Sequence, residues 1–291
     1  MSSFLVEITT VLVFGLAFSM LLFILSVGLS ITMGLMGFAN LAHGSFAMAG
    51  GYVTVSMVSK TGAPFAVALL VSFVIVALLS ILFERVLYRH LYRRPELDQV
   101  LLTIGIVFAS IATVTFIWGP DPQLILMPEY LSGSVDLGFN NFPRYHIFMI
   151  VAGAIIVAAL FYGLERTNIG AQIRAAVDNR RMAESCGINT GRIFTWTFAL
   201  GSGMAALGGG LGIQLLGGIK PVFALEYLVI FLIVIAVGGM GNIRGTFFAA
   251  LILGIIDFAG KFYFPEGGAF IIFAVTIIVL LIRPHGLFGK A

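Results

Sequence analysis

Few side chains in this chain are placed to do chemistry. Asn40 and His43 stand in the stretch Gly34-Leu-Met-Gly-Phe-Ala-Asn-Leu-Ala-His-Gly-Ser-Phe-Ala-Met-Ala-Gly-Gly51, and from Glu7 to Glu84 the only formal charges are those two ends and Lys60. A carboxamide and an imidazole in such surroundings can hydrogen-bond a polar solute or a neighbouring helix. Gly34, Gly37, Gly44, Gly50 and Gly51 interrupt what would otherwise be a simple apolar span. Unpaired backbone in hydrocarbon costs several kcal/mol per group, so such a break persists only where protein or a water-filled cavity covers it. Glycine-interrupted apolar segments point to transport sites. Gly37, Asn40, His43 and Gly44 are therefore expected along a substrate pathway. The competing reading is a helix–helix hydrogen bond, and the position inside a break favours the pathway.

Asp257, in Gly254-Ile-Ile-Asp-Phe-Ala-Gly260, is the other candidate. A carboxylate in mid-span needs a partner or a cavity. A structural hydrogen bond and a substrate contact both remain open for it. No catalytic residue is expected: there is no Walker A pattern, no zinc-type His/Cys/carboxylate grouping, and no Ser/His/Asp set stands out. Cys186 is a lone thiol with no disulfide partner and no metal ligands around it, so no metal site is expected.

These residues must be positioned by membrane spans. Of 291 residues, 60% are hydrophobic and 10% charged, with mean hydropathy +1.09. Soluble domains carry about 25% charge, so the chain reads as an all-α polytopic membrane protein with a single transmembrane domain over residues 1–291. The net charge of +3 comes without a basic run interleaved with aromatics. Membrane lipid rather than nucleic acid is the expected environment. The first residues lack Lys and Arg, so the first span is expected to stay uncleaved.

A span takes about 20 apolar residues. The sequence predicts a bundle of about nine transmembrane helices, at 8–34, 41–59, 64–83, 100–118, 145–164, 193–216, 222–237, 246–262 and 269–282. The number is eight if the second is re-entrant. Broken helices are expected at 34–51 and again at Gly238-Gly-Met-Gly-Asn-Ile-Arg-Gly245. These two breaks fall in opposite halves, as an inverted-repeat transporter places them. The run Gly208-Gly-Gly210 predicts close helix packing. Residues 119–144 read as the longest external stretch. Placing the Arg85–Arg94 and Arg166–Arg192 clusters inside puts 12 of the 16 basic residues in the cytoplasm. The positive-inside bias then predicts a cytoplasmic C-terminus and, with nine spans, a periplasmic N-terminus.

Residues 165–192 are too regular for a plain loop. Ile169, Ile173 and Val177 share a helix face. Asn168 is a candidate N-cap, and Asp178 could cap a second short helix over 179–186, stopped by Gly187. Two short amphipathic helices can dock onto another protein or lie on the membrane surface, held by their arginines.

The motifs taken together resemble a family. Asn40-Leu-Ala-His-Gly-Ser-Phe-Ala-Met-Ala-Gly-Gly-Tyr52, Glu84-Arg-Val-Leu-Tyr-Arg89 with Leu102-Thr-Ile-Gly105, Met182-Ala-Glu-Ser-Cys-Gly-Ile-Asn189 with Thr197-Phe-Ala-Leu-Gly201, Gly238–Gly245, and Arg283-Pro-His-Gly-Leu-Phe-Gly289 occur in order over the whole length. The chain resembles the LivH-type permease subunits of branched-chain amino-acid ABC importers, within the wider family of ribose- and urea-type permeases. Two departures stand out: Arg180 where many members carry proline, and Ser45 where some carry glutamate.

The resemblance implies a bacterial inner-membrane importer for branched-chain or other hydrophobic amino acids, working by alternating access. It implies a second permease subunit (LivM-like, or a second copy), two cytoplasmic ATPases (LivG/LivF-like) that bind ATP and Mg, and a periplasmic solute-binding protein. The chain itself then holds no cofactor. The helix pair becomes a cytoplasmic coupling element, with Ile169, Ile173, Arg174, Val177, Arg181, Met182 and Ile188 as its residues. The resemblance decides for docking over a membrane-surface role. Alternatives from other classes are a self-contained secondary transporter or channel, an importer of urea, amides or aromatic acids, and an integral-membrane enzyme.

Overall fold

The computed structural model describes residues 3–36, 40–91, 94–136, 138 and 140–289. Helix α1 (Ser3–Met36) leads to α2 (His43–Thr61), and α3 (Phe65–Phe83) runs through a π-helical turn, Glu84–Tyr88, into α4 (Arg89–Leu91). Helices α5 (Glu96–Trp118) and α6 (Arg144–Arg166) flank the proline-rich stretch. The polar pair α7 (Asn168–Asp178) and α8 (Arg180–Ser185) follows. Then come α9 (Thr190–Leu215), α10 (Phe223–Glu226), α11 (Leu228–Gly238), α12 (Ile243–Tyr263) and α13 (Gly268–Ile282).

Helix α9 is the hub, against which α1, α2 and α3 all pack. Its apolar window is 78% buried, against 17% for α5 at the periphery. Small residues make this possible, since backbones approach closely only where no side chain intervenes. A Cβ on Gly28 of α1 would strike the Gly201 carbonyl of α9, lying 2.7 Å from its carbon. The Gly208–Gly210 run faces three helices in turn. Gly208 meets Leu25 of α1, Gly209 meets Ala47 of α2, and Gly210 meets Thr54 of α2 and Leu69 of α3. The close packing expected of that run is what it provides. Helix α1 also lies along α12, joined by Thr246 Oγ1–H to Ser30 Oγ (2.8 Å) and Ser19 Oγ–H to the Leu251 carbonyl (3.1 Å).

Among the described residues, six helices are long and apolar enough to cross a membrane: the α1, α3–α4, α5, α6, α9 and α12 segments. The other three expected spans form helices of a different kind. Phe223–Gly238 and Gly268–Ile282 are apolar but short. Helix α2 is long but rich in Gly, Ser and Thr, and buried along most of its first thirteen residues. The all-α expectation also needs a correction at residues 134–143. There β1 (Ser134–Asp136) pairs antiparallel with β2 (Asn141–Pro143), Val135 opposite Phe142. Gly138 has φ +82°, a conformation glycine takes readily in a turn, and the Asp136 carboxylate accepts from Gly138 N–H (2.7 Å), closing the turn.

The caps of the polar pair shift by one residue from expectation. Thr167, not Asn168, caps α7 by accepting from Gly170 N–H (3.1 Å). Asn179, not Asp178, caps α8 by accepting from Met182 N–H (3.0 Å). An N-cap residue must have non-helical backbone. Thr167 and Asn179 are extended, while Asn168 and Asp178 are still inside α7.

The packing predicts a contrast. Gly28→Ala forces α1 away from α9, and overpacking of this kind costs about 1–3 kcal/mol. Gly105→Ala on α5 meets nothing within 4 Å and leaves stability unchanged or slightly raised. Thermal unfolding midpoints of the two purified variants in detergent check this: a lower midpoint is expected for Gly28→Ala alone.

Candidate functional site

The first break is held by its own polar residues. Asn40 is 1% exposed. Its Oδ1 accepts from Ala42 N–H (3.1 Å) and from the Tyr88 hydroxyl (2.9 Å). His43 is equally buried, and its Nε2–H donates to the Leu25 carbonyl of α1 (2.9 Å), so the proton sits on Nε2. The imidazole also meets the Phe231 ring edge-on, centroids 6.4 Å apart. A Cβ on Gly44 would lie 3.0 Å from Ala224 Cα, so the start of α2 and the start of α10 touch through backbone. Ser110 Oγ–H of α5 donates to Ser45 Oγ (2.8 Å). Gly37 lies outside the described residues.

The two glycine-rich breaks meet. A Cβ on Gly34 would lie 2.6 Å from Gly241 Cα and 3.4 Å from Val177 Cγ1 of α7. One on Gly241 would lie 3.0 Å from Gly34 Cα and 3.5 Å from the same methyl. Val177 thus sits over the junction. Gly241 itself has φ +73°, open to glycine at little cost. The tail returns to the second break: Leu287 N–H donates to the Val237 carbonyl (2.7 Å), and Asn242 Nδ2–H donates to the Phe288 carbonyl (2.8 Å). Asn242 Oδ1 also caps α12 by accepting from Gly245 N–H (3.0 Å).

Around this junction opens a cavity of about 1330 Å³, lined by Gly34, Gly241, Val177, Arg174, Glu165 and Arg244 among others. Arg244 and Glu165 pair across it, Nη2 to Oε1 2.6 Å. Asn40, His43 and Asp257 are not among its lining residues. Asp257 is 5% exposed, and its carboxylate pairs with Lys261 Nζ at 2.6 Å, one turn along α12. Its partner is therefore in the same helix.

The helix pair divides its expected coupling residues between two faces. Ile173 is buried in the core, with Val177 and Ile188 packed against it. Ile169 (64%) and Met182 (65%) are exposed, as are Arg174 and Arg181. Arg180 pairs with Glu184 (3.0 Å) and lies 4.6 Å from the Phe194 ring centroid, tying α8 to α9. The Thr190 hydroxyl donates to Glu184 at 2.5 Å. That hydrogen bond first, and Arg180 second, hold the Glu184 carboxyl below its ordinary value. The link is fully present above the ordinary carboxylate range and is lost as pH falls through the lowered value.

Residues 11–280 match the family described as branched-chain amino acid transport system / permease component. The chain belongs to this family. It is 28% identical over 283 residues to the high-affinity branched-chain amino acid transport system permease protein LivH of Escherichia coli K12, covering 92% of this chain and 91% of that protein. It is 26% identical over 304 residues to the corresponding permease BraD of Pseudomonas aeruginosa, covering 96% and 95%. It is 23% identical over 294 residues to a probable LivH of Methanocaldococcus jannaschii, covering 94% and 90%. No solved structure matches the chain. The chain is thus a permease component of an ABC importer and not itself an enzyme.

Two residues of this permease join its motifs, and sequence reasoning did not single them out. Tyr88 reaches Asn40 and stacks obliquely on Phe198 (4.9 Å). Glu84 accepts from the Thr195 hydroxyl of α9 (2.9 Å). The signal was present in Glu84-Arg-Val-Leu-Tyr-Arg89: a carboxylate and a phenol four residues apart share a helix face where the chain leaves an apolar span.

Asn40→Ala strands the buried Ala42 amide, at about 1–3 kcal/mol for an unsatisfied group, and removes the acceptor that the Tyr88 hydroxyl uses on Asn40. Tyr88→Phe removes one donor and leaves Asn40 its backbone bond. Chemical unfolding of the purified permease in detergent is expected to rank Asn40→Ala as the more destabilising. Equal losses would mean that Asn40 does not organise the break.

Proposed function

We propose that the permease carries branched-chain amino acids inward across a bacterial inner membrane. The names of its relatives across 90% or more of their length support that substrate class. In this reading the bundle end carrying α7, α8 and the tail faces the cytoplasm. Two ATPase subunits seat there and bind ATP and Mg. A periplasmic protein delivers the solute, and a second permease subunit, LivM-like or another copy, completes the path.

The observation that supports the coupling scheme is Val177 over the contact of Gly34 with Gly241. Closure of the ATPases pushes the exposed residues Ile169, Arg174, Arg181 and Met182. The inward face, Ile173, Val177 and Ile188, passes that displacement to the junction of the breaks. There α1 and α12 change their relative tilt, and the cavity opens or closes. Asn40 and His43 stabilise the path rather than line it, since each has protein partners. Asp257 keeps a charge satisfied by Lys261.

Two variants separate docking from transmission. Met182→Glu is expected to lower the yield of ATPases recovered with the affinity-purified permease. Gly34→Ala is expected to leave that yield unchanged while amino-acid uptake into proteoliposomes falls at least tenfold and ATP hydrolysis continues. Recovery of the permease alone, moving solute without ATP, would transfer the case to a secondary transporter.

A further inference from the structure

One ion pair lies outside the machinery described so far. After α9 the chain does not turn back at the rim of the bundle. It dips inward: Ile219 is fully buried, packs 2.8 Å from where a Cβ on Gly51 would be, and forms a two-way backbone bridge with Gln123 (2.8 and 2.9 Å). Helix α10 therefore begins inside the bundle, its Ala224 backbone against Gly44 of the first break. On the outer face of this segment Lys220 Nζ meets both oxygens of Glu226, at 2.9 and 3.1 Å. The two side chains keep 38% and 44% of their exposure. In the same segment Val222, Leu225 and Val229 stand 40–49% exposed.

We propose that Lys220 and Glu226 form the subsite that receives the charged head of a zwitterionic amino acid, with Val222, Leu225 and Val229 taking its apolar side chain. The inference rests on the reading that the solute is an amino acid. A zwitterion entering a low-dielectric passage loses hydration at both charges and needs an opposite charge for each. A preformed pair supplies both by exchange: the solute carboxylate takes the place of Glu226 on Lys220, and the solute ammonium takes the place of Lys220 on Glu226. No net charge is buried and the count of ion pairs rises. An exposed pair contributes little on its own, so opening it costs little. The pair then recloses behind the solute. Glu226 stands two residues after Ala224, whose backbone meets Gly44 of the first break.

The test is ATP-driven uptake of radiolabelled leucine by the complete complex in proteoliposomes with its binding protein, normalised to co-purified ATPase. Lys220→Met and Glu226→Gln are each expected to cut initial uptake at least tenfold with assembly unchanged. The swapped double variant, Lys220→Glu with Glu226→Lys, keeps the internal pair and is expected to stay defective, because it presents the charges in reverse beside the same apolar residues. Recovery of uptake in the swap would make the pair a structural tether and overturn the proposal. So would normal uptake in either single variant, or loss of the assembled complex in both. Failure of the unmodified complex to take up leucine with ATP is a different result: it removes the amino-acid importer reading itself.

Discussion

The approach of Gly34 to Gly241 is the contact on which the rest of the bundle depends. It brings the end of α1 to the turn before α12, and it holds only because neither residue carries a side chain. Any β-carbon there separates the two breaks, lifts Val177 from the junction and alters the cavity they enclose. The contact also fixes the tail. Gly239 leaves room for Gly289, and Gly286 lies against the backbone of Gly239 and the carbonyl of Ala236. The two C-terminal motifs thus pack as one unit although about forty residues separate them.

A break made this way must still satisfy its backbone and side chains without water. Asn40 shows how: one carboxamide oxygen accepts from the next turn of the main chain and from a phenol on another helix. His43 satisfies a carbonyl in the middle of α1, where a helical C=O retains a second lone pair. Polar groups at the break therefore bind protein first. This separates the residues that make a path possible from those that face into it, a distinction that composition of an apolar segment cannot supply.

The sequence made much of this architecture legible for physical reasons. Glycine and proline punctuation located many helix ends to within a few residues, since these residues act through their own backbone; the continuation of α3 through residues 84–91 and the division between α10 and α11 carried no such signal. Caps were misplaced by one residue at Thr167 and Asn179 because Thr167-Asn168 and Asp178-Asn179 each offer two competent oxygens in succession, and tertiary packing chooses between them. The hairpin at residues 134–143 was hidden because strands of three residues leave no periodic signal. Partners of Asn40, and the seat of Asp257 beside Lys261, depend on which rotamers the packed bundle allows. The inward dip at Ile219 was unreadable because its bridge to Gln123 joins segments ninety-six residues apart.

The amphipathic pattern of α7 carries a last lesson about coupling. Ile173 and Val177, spaced to share a face, were natural candidates for contact with a partner. In the bundle Ile173 and Val177 turn inward while Ile169, the first of the same periodic set, is exposed, as are Arg174 and, on α8, Arg181 and Met182. This is the arrangement that the proposed coupling requires. A helix that must convey a displacement has to be fastened to the element it moves, and burial of apolar side chains supplies that fastening at about 25 cal/mol per Å². Burial, rather than hydrophobic periodicity alone, therefore separates the residues of α7 bound to their own subunit from those it exposes.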